Sequence, residues 1–175
     1  ADKGLQLVPV SVNLSSPSFA DDGLKAQLQD LLQRHQLQPS SLVLEVTESL
    51  LMSDVERAVV RLQELREMGF KVSLDDFGTG YSSLGYLKRF PVDELKIDRS
   101  FVTDVWRGGR DGAIAVSVIA LSRVFGLQVV AEGVETEGQS SFLLAHGCAN
   151  QQGYLFARPL PSEAFDETLK PADET

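Results

Sequence analysis

Cysteine is nearly absent from this sequence, and so are long apolar runs. The single cysteine, Cys148, cannot form an internal disulfide, which favours a reducing compartment and predicts a cytoplasmic location. No apolar run approaches the roughly 20 residues that span a membrane, and residues 1–4 show no signal-peptide pattern. We therefore expect no membrane contact in this segment, and any membrane tether of a parent protein would lie elsewhere.

Positive charge is also scarce, because 16 lysine and arginine residues stand against 25 aspartate and glutamate residues, for a net charge of -9. Proteins that bind duplex nucleic acid neutralise its phosphates with basic side chains, so this balance argues against that class of partner. Two explanations of the acidic excess stay open. It can be a solvated surface that keeps the protein soluble, or a site where cations mediate the binding of a small anion.

Apolar residues are plentiful: they make up 43% of the 175 residues, which is enough for the core of one globular domain. Strand-like runs alternate with amphipathic, helix-like segments along the chain. We expect one domain over residues 1–170 and a disordered tail over residues 171–175.

The alternation can be divided into elements. The strand-like runs are 7–13, 42–47, 70–75, 94–98, 128–132 and 150–156, and the helix-like segments are 22–35, 54–68, 82–88, 112–125, 137–145 and 162–169. Ser53 and Glu56 have capping-box spacing, and Gly69 and Gly126 are placed to end helices. Repeated strand-helix units predict a parallel sheet with right-handed crossovers, either open and doubly wound or closed as a (β/α) barrel.

Polar side chains near the carboxyl ends of the runs favour the barrel. These residues are Asn13, Glu45, Asp75, Asp98 and Glu132, with Gln152 on the last run. Alternation places Lys96 on the same face as Asp98, towards a barrel lumen, whereas residues such as Val10, Val12 and Leu44 have the opposite parity and suit packing beneath helices. Barrel enzymes carry out their chemistry at the carboxyl ends of the strands.

Several carboxylates gathered at one mouth repel one another unless a positive group lies between them. Divalent cations are the natural solution, and hard oxygen ligands without a histidine or cysteine set favour Mg²⁺ or Mn²⁺ over zinc. Lys96 can also be explained as a surface lysine, but its shared parity with Asp98 favours the pocket.

The most specific string is Leu74-Asp75-Asp76-Phe77-Gly78-Thr79-Gly80-Tyr81-Ser82-Ser83-Leu84. On a regular strand Asp75 and Asp76 would point to opposite faces, so their joint use requires the chain to turn, and Gly78 and Gly80 permit a turn. An ordinary turn with an aspartate N-cap explains Asp76 and one glycine, but not the paired acids together with the whole polar loop.

In these motifs the sequence resembles the EAL domains, which hydrolyse the bacterial second messenger cyclic di-GMP. The matching strings are Val12-Asn13-Leu14-Ser15, Glu45-Val46-Thr47-Glu48-Ser49, the loop 75–84, Lys96-Ile97-Asp98, Ala131-Glu132-Gly133-Val134-Glu135, and Gln152-Gly153-Tyr154 with Pro159. The resemblance implies a TIM-like (β/α) barrel with one irregular strand and hydrolysis of cyclic di-GMP to linear pGpG. It also implies a homodimer, and a parent protein could carry attached sensor or diguanylate cyclase domains, which this sequence does not reveal.

The resemblance also implies roles for the matching residues. A site for two Mg²⁺ or Mn²⁺ ions would be formed by Asn13, Glu45, Asp75, Asp76, Asp98 and Glu132. Lys96 and Glu132 would be catalytic, with Lys96 holding the attacking water or the phosphate, and Gln152 and Pro159 would contact the substrate. The loop at Asp76 would be anchored by Glu48, Gly78, Thr79, Gly80 and Glu135.

The sequence departs from the family pattern at its start. The Glu-Ala-Leu signature should precede Asn13, yet only 12 residues do so and none is glutamate. We therefore expect the first strands to be missing, the barrel to have unpaired edges, and this stretch alone to be weakly active or inactive. Three explanations of the missing segment stay open: the sequence is a piece of a longer domain, the missing strands come from another chain, or the natural protein is truncated.

Two other functions stay open. The domain could bind cyclic di-GMP without cutting it, as relatives with eroded ligands do, although the intact set Asn13, Glu45, Asp75, Asp76 and Lys96 argues against that. It could instead serve assembly only, through the loop that ends at Leu84 and the helix that follows.

Overall fold

A computed structural model describes residues 8–78, 84–107 and 109–169. They form an α/β half-barrel around a parallel sheet of six strands that neighbour one another in chain order. The strands are β1 (Val10–Asn13), β2 (Leu42–Thr47), β3 (Lys71–Phe77), β4 (Glu94–Ile97), β5 (Gln128–Ala131) and β6 (Asn150–Gln151). Sequential parallel neighbours require a crossover after each strand, and these crossovers contain the helices.

The helices are α1 (Ser16–Ala20), α2 (Leu24–His35), α3 (Glu48–Met52), α4 (Val55–Glu67), α5 (Leu84–Leu87), α6 (Arg99–Val102), α7 (Arg110–Phe125), α8 (Glu137–His146) and α9 (Ser162–Thr168). Short 3-10 turns lie at Pro39–Ser41 and Val105–Arg107. Within the described ranges, no helix combines the length and apolarity that a membrane crossing requires.

The core lies between the outer face of the sheet and the helices. On the central strands β2, β3 and β4, six residues of the predicted apolar parity are at most 1% exposed: Leu44, Val46, Val72, Leu74, Leu95 and Ile97. Leu62 and Leu65 of α4 and Ile119 of α7 are equally buried. The opposite parity therefore faces the inside of the half-barrel, as predicted. Cys148 is fully buried, and burial raises the pKa of its thiol to about 11.

Two local predictions were wrong. The last strand covers Asn150–Gln151 and does not extend to residue 156. Asp54, not Ser53, caps α4, because its carboxylate accepts from the Arg57 N–H at 3.1 Å. Ser53 instead donates to the Leu50 carbonyl at 2.7 Å and so closes the unpredicted helix α3.

The edge strand β1 differs from the central strands. Val10 and Val12 are 54% and 40% exposed, although their parity predicted packing beneath helices. Among the described residues, β1 and β6 each pair on one side only, so the sheet is open as expected.

Candidate metal and active site at the carboxyl ends of the strands

The register of the sheet brings the predicted site residues to one end. Asn13 pairs with Glu45 across β1 and β2, and Thr47 pairs with Asp75 across β2 and β3. The end of β1 is also held by the Leu14 N–H, which donates to the Glu45 carbonyl at 2.8 Å. Asn13 is exposed at this end of the edge strand.

Lys96 lies at the centre of the site. Its Nζ is 2.9 Å from Glu45 Oε1, 2.5 Å from Glu132 Oε1 and 3.6 Å from Asp75 Oδ1. The side chains of Lys96 and Glu45 are each 6% exposed. Burial opposes the charge on Lys96, but the hydrogen bonds to Glu132 and Glu45 outweigh it and raise the pKa of Lys96 above its ordinary value. The lysine is therefore a buried cation, not a surface residue.

Glu132 follows directly on β5 and contacts Lys96 from the side opposite to Glu45 and Asp75, which lie on β2 and β3. Burial raises the pKa of Glu132 above its ordinary value, and the charges of Asp75 and Glu45 add to this effect although Lys96 opposes it. Gln152 Nε2 donates to Glu132 Oε1 at 2.6 Å. The structure thus places the predicted substrate residue Gln152 against the predicted catalytic carboxylate.

The two adjacent aspartates, Asp75 and Asp76, lie where the pairing of β3 with β4 is irregular. The register slips between Leu74 and Phe77, where three steps along β3 match two along β4, and Asp76 has a left-handed φ of 55°. Aspartate is one of the few side chains that adopt this conformation readily. The chain therefore begins to turn at Asp76 itself, before Gly78 at φ 95°, while Gly80 lies outside the described residues.

Asp76 and Asp98 belong to the same electrostatic group. Burial raises the pKa of Asp76, and the negative charges of Asp75 and Asp98 raise it further. Asp98 lies one residue beyond β4 and caps α6, since its Oδ1 accepts from the Ser100 N–H at 3.0 Å. The Glu132 N–H donates to the Ile97 carbonyl at 3.1 Å, which places Glu132 beside Asp98.

One of the predicted loop anchors is in contact with the loop. Glu48 is 3% exposed, and its carboxylate accepts from the Gly78 N–H at 3.2 Å. Glu135 is exposed and lies on the loop after β5. Thr79 and Gly80 lie outside the described residues.

A cavity of about 470 Å³ adjoins Glu132. Gln152, Pro159 and Glu135 line it together with two arginines, Arg99 and Arg158. The guanidinium of Arg158 stacks on the Tyr154 ring at 4.4 Å. Pro159 thus shares one cavity with Glu132.

The donor set suits a hard divalent cation, since it consists of carboxylate oxygens with one amide oxygen. In the described ranges, no group of three or more Asp, Glu, His or Cys side chains is arranged to hold a metal ion by itself. The ammonium group of Lys96 lies among these carboxylates instead. Five carboxylates with a single lysine still leave an excess of negative charge at this end, which a cation would neutralise.

One buried polar residue close to this site was not predicted from the sequence. Gln139 is 5% exposed and bonds to the backbone of the loop that carries Glu135. The spacing Thr136-x-x-Gln139 is a capping-box signature that could have revealed part of its role.

Comparison with known proteins identifies relatives of this arrangement. A family model described as EAL domain matches residues 2–159. The bifunctional diguanylate cyclase/cyclic di-GMP phosphodiesterase MucR of Pseudomonas aeruginosa is 51% identical over 154 residues, which are 88% of this chain and 22% of that protein. The chain therefore spans about a fifth of the length of this relative.

Solved structures agree with the half-barrel. The MucR phosphodiesterase in complex with cyclic di-GMP aligns over 90% of this chain and 64% of that chain, with a TM-score of 0.86 and 50% identity. BlrP1 of Klebsiella pneumoniae, in complex with manganese and cyclic di-GMP, aligns over 87% of this chain and 39% of that chain, with a TM-score of 0.81 and 35% identity. A further BlrP1 complex contains calcium.

Proposed function

Because the chain belongs to the EAL domain family, we propose that it forms the metal-binding and substrate-binding part of a domain that hydrolyses cyclic di-GMP to linear pGpG. The observation that carries this proposal is the buried Lys96, which lies within 3.6 Å of three carboxylates at the carboxyl ends of parallel strands. Barrel enzymes assemble their active sites at that end. Relatives whose names include this activity support the assignment.

The residues that would hold Mg²⁺ or Mn²⁺ are Asn13, Glu45, Asp75, Asp76, Asp98 and Glu132. Divalent ions bound there would supply a nucleophile at neutral pH and neutralise charge on the reacting phosphate. The manganese and calcium complexes of BlrP1 support a divalent ion of this kind. A negatively charged protein would then bind a dianionic dinucleotide through cations, which is the second of the two explanations of the acidic excess.

The side chains of this chain have distinct tasks in the proposed reaction. Lys96 is fixed in its charged form, so it can hold the attacking water or a phosphate oxygen and stabilise the negative charge that develops there. Glu132 lies 2.5 Å from Lys96 Nζ, so its carboxylate is placed to accept a proton from that water. Gln152 donates to Glu132 Oε1 and so orients it. In the products, the water oxygen is bonded to phosphorus, the phosphorus–O3′ bond is broken and the 3′ oxygen carries a proton.

Three further proposals concern the surroundings of the site. We expect the protein to act in the cytoplasm, to form a homodimer, and to be joined to sensor or diguanylate cyclase domains, as the bifunctional name of MucR illustrates. A substitution of the partly buried Tyr86 on α5 that abolishes dimerisation but not turnover would support a dimer contact there.

The direct test is turnover by the full-length protein. After removal of metals with EDTA, addition of Mn²⁺ or Mg²⁺ should restore conversion of cyclic di-GMP to pGpG, as measured by chromatography. Tight binding of cyclic di-GMP without any linear product in either metal would contradict the proposal and indicate a receptor domain instead.

A further inference from the structure

The loop between β5 and α8 carries Glu132 and Glu135, and one buried side chain holds it from behind. Gln139 Oε1 accepts hydrogen bonds from the backbone N–H groups of Glu135 at 2.7 Å and Thr136 at 2.9 Å. Gln139 itself is only 5% exposed. The end of the loop is therefore fixed at two successive backbone groups.

Part of this arrangement is ordinary helix capping. Thr136 is the N-cap of α8, and its hydroxyl accepts from the Gln139 N–H at 3.3 Å in return. A glutamate at position 139 would complete this capping box as well as a glutamine does. Capping alone therefore does not account for the amide.

The amide nitrogen makes a contact that a carboxylate cannot make. Gln139 Nε2 donates to the backbone carbonyl of Thr103 at 2.8 Å, and a glutamate has no donor for that carbonyl. Thr103 closes α6, whose other end is capped by Asp98. This single side chain thus joins the loop after β5 to the helix after β4.

The same two segments also meet closer to the site. The Glu132 N–H donates to the Ile97 carbonyl at 3.1 Å. The stem of Arg99 lies over Gly133, where a Cβ atom would be 2.5 Å from Arg99 Cγ, and Gly133 has a left-handed φ of 67°. These contacts set Glu132 beside Asp98, and the Gln139 link holds the far ends of both segments.

We propose that Gln139 is a positioning residue for Glu132. By tying the loop 132–136 to α6, it keeps Glu132 in register with Asp98 and within 2.5 Å of Lys96 Nζ. The inference rests on the proposed function, in which Glu132 is both a metal ligand and a catalytic group. Groups that orient a metal ligand from behind commonly contribute about 10–100-fold to metal affinity or activity.

Three variants of the full-length protein separate positioning from capping. Gln139→Glu keeps the acceptor and loses the Thr103 link, Gln139→Met loses both, and Thr136→Ala removes the capping hydroxyl but leaves the Gln139 side-chain bonds in place. We expect the Mn²⁺ concentration for half-saturation, measured by calorimetry, to rise about tenfold in Gln139→Glu and up to about 100-fold in Gln139→Met. In Thr136→Ala it should stay at the wild-type value while the melting temperature falls.

Amide hydrogen exchange supplies a readout that depends on neither metal nor turnover. The Glu132 amide does not bond to Gln139, yet it should exchange faster in Gln139→Glu and not in Thr136→Ala. Wild-type Mn²⁺ affinity and wild-type Glu132 exchange in both Gln139 variants would overturn the proposal. If the wild-type protein neither binds Mn²⁺ nor produces pGpG, the proposed function fails, and unchanged Glu132 exchange in Gln139→Glu would then separately reject the positioning role.

Discussion

The two ends of the central strands differ in how their charges are balanced. At the amino end, Asp93 accepts from the Val72 N–H at 2.9 Å and pairs with Arg66 at 3.0 Å. At the carboxyl end, Lys96 is the one described cation in ion-pair contact with Glu45, Asp75 and Glu132, and Asp76 and Asp98 are close enough to interact. At the amino end, the charge of Asp93 is balanced by a side chain of the protein itself, whereas the carboxyl end has an excess of negative charge.

The difference indicates what each end does. Asp93 also joins three strands through its backbone, since its N–H donates to the Val72 carbonyl and its carbonyl accepts from the Gln128 N–H. That end serves the fold. An unbalanced group of buried and partly buried carboxylates lowers stability unless a ligand completes it, so the carboxyl end is organised for binding and chemistry.

The largest expected effect is the loss of the central cation. Lys96→Met should lower the rate of pGpG formation by on the order of 10²–10³-fold, as for other single electrostatic donors in active sites. Lys71→Met, which removes an exposed lysine at the amino end of β3, is the matched control and should leave the rate unchanged. Equal rates of pGpG formation by the two variants in a chromatographic assay would contradict the conclusion that the carboxyl end serves catalysis and the amino end does not.

A smaller loss of turnover is expected for Glu48, the buried residue that anchors the loop after Asp76. Glu48→Ala removes the buried acceptor of the Gly78 N–H and should reduce turnover by about 10–100-fold, because the loop that follows Asp76 loses its anchor. Ser49→Ala, one residue further along α3 and exposed, provides the comparison. If Glu48→Ala loses only stability, with wild-type turnover per folded molecule, the anchoring role is wrong.

The pH dependence should reveal the raised pKa of Glu132. Since metal binding requires the ionised form, protons should compete with Mn²⁺, and the apparent Mn²⁺ affinity should fall as the pH falls through the raised pKa that Glu132 has in the metal-free protein. In the metal-free protein the sign for stability is opposite: folding favours the protonated form, so the free energy of unfolding falls as pH rises from the unfolded to the folded pKa. The free energy of unfolding of the wild type minus that of Glu132→Gln, measured by chemical denaturation in EDTA, isolates this effect, and a rise in that difference across the interval would contradict the assignment.

The smallest change in stability and turnover is expected for a substitution at the amino end of the strands. Asp93→Asn removes a partly exposed ion pair with Arg66 but keeps an acceptor for the Val72 N–H, so it should cost less than about 1 kcal/mol of stability. Turnover should not change. A tenfold loss of turnover with an unchanged urea midpoint would show that the amino end is not independent of the site.

Alternation and strand order made much of this arrangement predictable. Lys96 could be assigned to the inner face because side chains alternate along a strand, and Glu45, Asp75 and Glu132 could be brought together because parallel strands end at one edge. The short helices α1, α3 and α6 escaped prediction because four or five residues show no helical period. The misplacement of the cap from Asp54 to Ser53 followed from missing α3.

The remaining features depend on contacts that are distant in sequence. The left-handed conformation of Asp76 arises where β3 slips against β4, and the Gln139 link reaches Thr103, 36 residues away. Local sequence patterns predict a helix cap at Thr136, but they do not predict which group the amide nitrogen of Gln139 contacts. Positions of this kind are determined by packing between loops, not by periodicity.

The cation site is tested most directly by the number of Mn²⁺ ions bound per chain of the full-length protein, measured as the loss of the free-ion electron paramagnetic resonance signal. We predict saturable binding of two ions that is weakened in Glu45→Gln and unaffected in Lys71→Met. No saturable binding, or equal binding by wild type and Glu45→Gln, would contradict the claim that the carboxyl end of the sheet is a cation site.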